Sequence, residues 1–249
     1  MGEHLPTDRP ARVLLKLSGE AFSRESGFGI DAAALGWIAE EVKAAWSTGV
    51  QIAVVVGGGN IIRGKKLADS GDIEQATADY MGMLGTIMNG LALREKLQSI
   101  GVDSRIMSAL EVRSVAEPFI RNRAIRHLEK DRVVVLSAGI GNPFFTTDTC
   151  AALRATELRC DMLLKATTVD GIYTADPKKV PEAERLDSAS FDAVIQRGLA
   201  VMDATAFTLC RERNIPIRVF KFDEPGNIKT AASGKPIGTL VSQQQTAAT

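Results

Sequence analysis

The chain has 249 residues, 45% of them hydrophobic and 24% charged, and this ordinary balance leaves room for one large α/β domain or two small ones. Thirty basic residues offset thirty acidic ones, and a formal net charge of zero argues against a general nucleic-acid or membrane-surface binder. Three cysteines without a CxxC pair and two distant histidines support neither a disulfide framework nor a zinc site, so we expect a cytoplasmic location.

Short β-rich runs alternate along the chain with longer helical patterns. This predicts an α/β fold with a mainly parallel central sheet between two helical layers, a three-layer sandwich. The predicted strands are, in chain order, Val13–Leu17, Gln51–Val56, Arg105–Met107, Val133–Leu136, Met162–Ala166 and Ile217–Phe220. No linker or repeat divides the chain, so we expect one domain over residues 1–249 with flexible ends at 1–11 and 242–249. No apolar run approaches the roughly 20 residues of a membrane-spanning helix.

Four helices are predicted between these strands. The first follows Asp31, a good N-cap residue, and has an apolar stripe at helical spacing. The stripe consists of Leu35, Ile38, Val42 and Trp46. The second helix, Asp79–Leu97, is apolar nearly all round and must be covered on several sides, which points to a contact with another subunit. Two further helices are predicted at Thr147–Leu158 and Asp203–Arg213.

Residues suited to phosphate follow four of the predicted strands. This placement matters because ligands of open α/β sheets bind beyond the carboxyl ends of the strands. The first strand ends in Lys16-Leu17-Ser18-Gly19, and a lysine within such an apolar strand is costly to bury without an anionic partner. A lysine that extends to water from a sheet edge would explain Lys16 alone equally well. The residues at the other strand ends distinguish between these two interpretations.

The second strand is followed directly by Gly57-Gly58-Gly59-Asn60, with Arg63 one helical turn further on. Three glycines let backbone N–H groups approach an oxyanion without obstruction by a Cβ atom. A flexible turn is the alternative, but a triple glycine straight after a buried strand, with an arginine nearby, favours an anion site.

A long loop follows the fourth strand and runs from Ser137 to Asp148. Its Gly and Asn residues permit tight backbone shapes, its two threonines offer hydroxyl groups and helix caps, and Phe144 and Phe145 can wall a base or a ribose. Two aromatic side chains in a loop often serve local packing, so spacing alone does not name the ligand.

The fifth strand ends in Lys165, which repeats the pattern of Lys16. One lysine at the end of an apolar strand does not by itself indicate a binding site. Two at equivalent strand ends indicate a site that holds concentrated negative charge.

Seven segments of the chain resemble the bacterial uridylate kinases, which belong to the amino-acid kinase superfamily. They are LLKLSGEA (Leu14–Ala21), GFGID (Gly27–Asp31), GGGN with RG (Gly57–Gly64), MGMLGTIMNGLA (Met81–Ala92), SAGIGNPFFTTD (Ser137–Asp148), LKATTVDGIYTADP (Leu164–Pro177) and IPIRVF (Ile215–Phe220). The triple glycine and the lysine-x-serine-glycine start occur throughout the superfamily. GNPFFTTD and VDGIYTADP are far more specific to the uridylate branch. The similarity runs from about Val13 to Val241.

The resemblance implies the amino-acid kinase fold and transfer of the γ-phosphoryl group of ATP to UMP in pyrimidine nucleotide biosynthesis, with Mg²⁺ accompanying ATP. Residues implied to contact ATP are Lys16, Leu17, Ser18, Gly19, Gly59, Arg63, Thr167, Tyr173 and Asp176. Residues implied to contact UMP are Gly58, Asp79, Ile140, Gly141, Asn142, Pro143, Phe144, Phe145, Thr146 and Thr147. The resemblance also implies a cytoplasmic homohexamer, inhibited by UTP and activated by GTP. The segment implicated in activation comprises Arg24, Glu25, Ser26, Gly27, Phe28 and Gly29.

The expected phosphoryl transfer needs no general base, because the attacking phosphate of UMP is already anionic. It needs cations that offset the negative charge of the two nucleotides. We expect Lys16 and Lys165 to flank the transferring group and Asp148 to orient them, with no metal ligand supplied by the protein. Asp203 is a weaker candidate for the outer shell of the metal ion, and an N-cap role explains it at least as well. The usual threonine of the UMP loop is replaced by Ile140, which leaves a backbone contact there.

Three alternatives remain open from the sequence. An amino-acid or carbamate kinase is the nearest, although its smaller acceptor would not require the GNPFFTTD loop. A non-catalytic nucleotide-binding regulator would not need Lys16, Asp148 and Lys165 intact. A dehydrogenase is the third, since Gly27–Ala32 fits a loose dinucleotide pattern, but this segment lies about ten residues beyond its strand rather than at the strand end.

Overall fold

The computed structural model describes residues 11–23, 27–63, 69, 71–175, 180, 182–199 and 202–243. The strands are β1 Arg12–Leu17, β2 Gln51–Val56, β3 Ser104–Ser108, β4 Glu117–Pro118, β5 Val133–Ser137, β6 Met162–Thr167, β7 Ile172–Tyr173, β8 Arg185–Leu186, β9 Ser188–Ser190, β10 Ile217–Lys221 and β11 Thr239–Ser242. The helices are α1 Ala32–Trp46, α2 Gln75–Ser99, α3 Arg121–Leu128, α4 Thr147–Glu157, α5 Phe191–Gln196, α6 Ala204–Glu212 and α7 Asn227–Ala232. A short 3₁₀ helix covers Gly19–Phe22.

In the described part of the chain, nine strands form one sheet in the order β4-β3-β5-β2-β1-β6-β10-β11-β9, and β7 and β8 form a separate two-stranded ribbon. Among the described strands of the large sheet, only the β10–β11 pair is antiparallel. The chain leaves β1 towards β2 on one side, and later returns from β5 to β6 on the other side of β1. The order of strands therefore reverses at β1, and such a switch point opens a crevice beyond the carboxyl end of the strand.

Two buried apolar clusters lie on opposite faces of the sheet. One contains core residues of α1, α2 and α7, and the other contains core residues of α3, α4, α5 and α6. Alternate residues of β1 divide between them: Leu15 belongs to the first cluster and Leu14 to the second. This arrangement confirms the predicted three-layer α/β sandwich with a mainly parallel sheet.

The long, strongly patterned elements lie within a few residues of their predicted bounds. Asp31 caps α1 as expected, its side chain accepting a hydrogen bond from the Ala34 N–H at 2.7 Å. Helix α2 begins at Gln75, four residues before its predicted start. Five short strands (β4, β7, β8, β9 and β11) and three short helices (α3, α5 and α7) were not predicted from the sequence. No helix in the described part of the chain is long and apolar enough to cross a membrane.

Candidate active site

Two lysines lie side by side at the carboxyl ends of β1 and β6. The two strands pair in parallel with Lys16 opposite Lys165. Alternation places both side chains on the sheet face that α4 covers, the face of their neighbours Leu14 and Leu163. The sequence suggested that these lysines share a site, and the register of the strands explains why they do.

Asp148 bridges the two ammonium groups. Its Oδ1 lies 3.1 Å from Lys16 Nζ, and its Oδ2 accepts a hydrogen bond from Lys165 Nζ at 2.7 Å. All three side chains are 13–15% exposed, so the ion cluster is shielded but open on one side. A carboxylate held between two lysines fixes their positions and leaves one net positive charge at the rim of the sheet.

The N-terminus of α4 presents this carboxylate. Thr146 is the N-cap residue, and its hydroxyl oxygen accepts hydrogen bonds from the Asp148 and Thr149 N–H groups at 3.0 and 3.1 Å. Asp148 then lies in the first turn, where a carboxylate interacts favourably with the helix dipole. The cap thus sets the place from which Asp148 reaches both lysines.

Burial lowers the pKa of Lys165 below its usual range, and the nearby Lys16 charge acts in the same direction. Asp148 opposes this shift through its charge and hydrogen bond. Asp148 therefore favours the charged form of Lys165.

The glycine turn adjoins the same rim. Leu17 pairs with Val56, so Gly57 follows β2 immediately beside the end of β1, and its N–H donates to the Leu17 carbonyl at 2.9 Å. A Cβ atom on Gly58 would lie 2.5 Å from the Gly82 carbonyl of α2, and one on Gly19 would lie 2.5 Å from the Gly59 nitrogen. Glycine is required at both places because backbone packs directly on backbone.

The loop between β5 and α4 has an unusual backbone. Ala138 and Phe144 adopt the left-handed region with φ of 62° and 72°. Such conformations cost roughly 1–3 kcal/mol each for non-glycine residues and cluster at functional sites. Contacts with α2 hold the loop: the Ala138 N–H donates to Thr86 Oγ1 at 2.6 Å, and the Phe144 N–H donates to Asp79 Oδ2 at 2.7 Å.

A cavity of about 500 Å³ lies between the glycine turn, α2 and the start of α4. Its lining includes Gly58, Gly59, Arg63, Asp79, Phe145, Thr146 and Thr147. Residues expected to contact ATP and residues expected to contact UMP thus share one cavity wall. Ile140–Phe144 do not line it; Ile140 packs partly buried against the apolar cluster under α4.

A second cavity, of about 560 Å³, lies on the other side of Arg63. Its lining is Glu20, Ser23, Gly27, Arg63, Thr168, Phe222 and Asp223. Both cavities contact Glu20 and Arg63, whose side chains form an exposed ion pair at 2.7 Å. Arg63 therefore stands at the boundary between two spaces that adjoin the same rim.

The other predicted ATP contacts lie near the carboxyl ends of β1 and β6. Leu17 ends β1 and is fully buried, Ser18 precedes the 3₁₀ helix, and Thr167 ends β6. Tyr173 lies in the β7–β8 ribbon, where its hydroxyl donates to Asp170 Oδ1 at 2.7 Å. In the UMP loop, Phe144 and Phe145 are 72% and 50% exposed. Asp176 and Arg24–Ser26 lie outside the described residues.

Asp203 ties the start of α6 to the start of α4. It caps α6 by accepting from the Ala206 N–H at 2.9 Å, and it accepts from the Thr149 hydroxyl at 3.0 Å and from the Thr146 hydroxyl. Partial burial raises the pKa of Asp203, but these hydrogen bonds outweigh it and hold the pKa below its usual range. The structure thus bears out the N-cap interpretation.

Three functional candidates were not predicted from the sequence. Thr86 and Asn89 are buried polar residues of α2 that contact the UMP loop and the glycine turn, and Glu20 pairs with Arg63. Two polar residues within the apolar run Met81–Ala92 were the available signal. Their partners are distant in the chain, so only the fold reveals what they hold.

A family model described as the amino acid kinase family matches residues 11–221. The chain belongs to the amino acid kinase family. This membership confirms the family resemblance and the amino-acid kinase fold expected from the sequence.

Solved structures narrow the similarity further. The UMP kinase from Bacillus anthracis is 38% identical, with 96% of this chain and 100% of that chain covered and a TM-score of 0.91. The UMP kinase from Ureaplasma parvum is 36% identical over 94% of this chain and 99% of that one, with a TM-score of 0.89. The uridylate kinase from Archaeoglobus fulgidus is 29% identical over 92% of this chain and 99% of that one, with a TM-score of 0.69. These matches agree with the uridylate branch indicated by the loop motifs.

Proposed function

We propose that this chain is a UMP kinase, which transfers the γ-phosphoryl group of ATP to UMP and yields UDP and ADP. One observation carries the proposal: Asp148 bridges Lys16 and Lys165 at the rim where the glycine turn begins. The similarity to UMP kinases supports UMP as the acceptor.

The transfer needs positioning and positive charge rather than a proton acceptor. A phosphate oxygen of UMP attacks the γ-phosphorus of ATP, and the bond from this phosphorus to the oxygen of the leaving ADP breaks. Lys16 and Lys165 offset charge on the transferring group, the Gly58 and Gly59 N–H groups donate to its oxygens, and Asp148 keeps the lysines in place. Arg63 binds phosphate after its ion pair with Glu20 breaks, because the planar guanidinium group can donate two parallel hydrogen bonds to phosphate oxygens.

The two substrates divide the predicted residues between them. ATP contacts Lys16, Leu17, Ser18, Gly19, Gly59, Arg63, Thr167, Tyr173 and Asp176. UMP contacts Gly58, Asp79 and Ile140–Thr147, with Ile140 contributing its backbone alone. The packing of Ile140 into the apolar cluster supports that last assignment.

Mg²⁺ accompanies ATP and, when bound, neutralises phosphate charge. Within the described ranges, no three His, Cys, Asp or Glu side chains gather closely enough to hold a metal by themselves. We propose that Mg²⁺ is held mainly by phosphate oxygens and water, as is usual for this ion with nucleotides. The chain's own cations do the remaining work of charge neutralisation.

An acceptor screen tests the function. With ATP and Mg²⁺, coupled ADP formation should be strong with UMP and weak with CMP, acetylglutamate, aspartate or carbamate. Preference for a small carboxylate acceptor would identify an amino-acid or carbamate kinase instead. Absence of turnover with every acceptor would favour a regulator, and binding of NAD(H) would favour a dehydrogenase.

GTP activation and UTP inhibition are part of the proposal. Gly27 and Phe28, in the implicated segment, line a cavity of about 480 Å³ that also contacts Gly59 and Arg63, so an effector there adjoins the glycine turn. A second candidate place is a cavity of about 830 Å³ lined by Arg94, Arg105, Arg113 and Arg123. GTP titrations of Phe28→Ala and Arg105→Ala would distinguish them, since only the variant in the true site should lose activation.

We further propose one cytoplasmic domain that assembles as a homo-oligomer, with a hexamer as the expected form. Tyr80, Leu84 and Met88 of α2 are 42%, 51% and 51% exposed, and this apolar stripe supports a subunit contact. Light scattering should give the hexamer mass for the wild type and a smaller mass for Leu84→Glu. A monomeric wild type would refute the assembly.

A further inference from the structure

Two buried asparagine side chains lie behind the glycine turn. Asn60, at the end of the turn, is 1% exposed, and Asn89, in the middle of α2, is 0% exposed. Their amides pair: Asn60 Nδ2 donates to Asn89 Oδ1 at 3.0 Å, and Asn89 Nδ2 donates to Asn60 Oδ1 at 2.6 Å. Leaving such a buried group without its partner costs about 1–3 kcal/mol, so the pair is firmly held.

Each amide also holds backbone outside the pair. Asn89 Nδ2 donates to the Gly57 carbonyl at 2.7 Å, and Asn60 Nδ2 donates to the Gly29 carbonyl at 2.7 Å. The Gly29 N–H returns a bond to the Asn60 carbonyl at 2.8 Å. Helix α2, the glycine turn and the Gly27–Gly29 segment are thus joined through two side chains.

The bond to Gly57 controls the direction of the first amide of the anion site. The Gly57 carbonyl and the Gly58 N–H belong to one planar peptide unit and point in opposite directions. Asn89 holds the carbonyl, which directs the Gly58 N–H away from α2. Within the described part of the chain, neither the Gly58 nor the Gly59 N–H donates to a protein acceptor, although Gly58 lines the cavity with Arg63 and Asp79.

We propose that Asn89 is a positioning residue for phosphoryl transfer, acting through the Gly57 carbonyl to aim the Gly58 N–H at the transferring group. Asn60 contributes by pairing with the Asn89 amide and holding it in the required orientation. This inference rests on the proposed kinase function. It assigns Asn89 no contact with either nucleotide.

The position of the donor predicts how the kinetics change. An N–H group that meets charge developing in the transition state raises kcat, whereas substrate binding in the ground state governs KM. Loss of one such donor costs about 10²–10³-fold in kcat, and a donor that is present but poorly aimed should cost roughly 10–100-fold. We expect the KM values for ATP and UMP to change by less than about threefold.

Asn89→Asp is the informative variant because it keeps the shape of the side chain. An ionised carboxylate cannot donate to the Gly57 carbonyl, whereas a protonated one can donate its single proton there, at the expense of the bond that the amide makes to Asn60 Oδ1. Burial favours the protonated form, so kcat relative to the wild type should recover in part as the pH falls from about 8 to about 6. Asn89→Leu has a similar size and no donor at any pH, so it should show the kcat loss without recovery.

Leu128→Ala is the control for lost stability. Leu128 is a fully buried residue of α3, and its truncation should cost about 2–5 kcal/mol while leaving kcat unchanged in folded protein. If Asn89→Leu does not fold, Asn89→Asp at both pH values still decides the question. If the kcat of Asn89→Asp divided by that of the wild type stays close to one at every pH, the positioning role is overturned. An effect of the Asn89 variants that is confined to KM would overturn it as well. A wild type that does not phosphorylate UMP would instead refute the proposed function itself.

Discussion

The carboxylate between the two lysines makes the strongest prediction, for Asp148→Asn. Asn has the same shape but no charge, so two ammonium groups with 13–15% exposed side chains lose their shared counter-ion. At about 3 Å and an effective dielectric constant of about 20, each contact is worth roughly 5 kcal/mol before desolvation is subtracted. Breaking a buried pair leaves a net loss of about 3–5 kcal/mol in the free energy of unfolding.

The same change should alter how stability depends on pH. Without Asp148, the burial that lowers the pKa of Lys165 is no longer opposed, so its charged form is penalised in the fold. A lysine with a lowered folded-state pKa carries this penalty in full below that pKa and loses it as the pH rises from there to the unfolded-state pKa. The stability gap between wild type and variant should therefore be smaller in alkaline solution, at about pH 9, than at about pH 7.

Urea unfolding at both pH values, together with the coupled assay, measures these effects. We expect kcat to fall by about 10²–10³-fold, because the lysines lose both orientation and charge. The matched control is Asp192→Asn, which removes an exposed partner of Arg211 and should cost no more than about 1 kcal/mol. Equal stability and equal kcat in Asp148→Asn and the wild type would refute the account of the bridge.

Four further results are expected. Lys16→Ala should lower kcat by about 10²–10³-fold with the fold intact by circular dichroism, and wild-type activity would remove Lys16 from the mechanism. Asp79→Asn should raise the KM for UMP by about 10- to 100-fold, because one hydrogen bond to a charged group is worth about 1.5–3 kcal/mol. An unchanged KM would contradict this role of Asp79. The wild-type kcat should fall as alkaline pH removes the proton of Lys165, whereas the kcat of Lys165→Arg should show no such fall. Identical pH profiles of the two enzymes would contradict a role for the charge of Lys165. Asp203→Ala should lower the free energy of unfolding by about 1–2 kcal/mol, because the cap of α6 is removed. The pKa of Asp203 is lowered in the folded protein, so this loss should become smaller in acid. A difference in urea midpoints that does not change with pH would contradict this dependence.

The sequence was informative wherever a local pattern had only one physical solution. Apolar runs that end in lysine or glycine placed the catalytic candidates at strand ends, and parallel strands bring such ends to one rim. The Asp31 cap followed from local chemistry as well. Lys16, Lys165 and the glycine turn therefore could be grouped before the fold was known.

The rest depended on contacts between distant segments. The register that places Lys16 opposite Lys165 arises from strand pairing, and the Asp148 bridge requires α4 to lie over β1. Asn89 lies within the pattern of an apolar helix, and its contact with Gly57 forms only in the folded chain. Strands β4 and β7 have two residues each, too few for a periodic signal.

The central claim is that the bridged lysines and the glycine turn transfer phosphoryl to UMP. Phosphorus NMR of ATP and UMP with the enzyme observes both products at once. We predict equal amounts of UDP and ADP with the wild type, and UDP formation at least about 100-fold slower with Lys16→Met or Lys165→Met. ADP with inorganic phosphate but no UDP from the wild type, or undiminished UDP from either variant, would contradict the account.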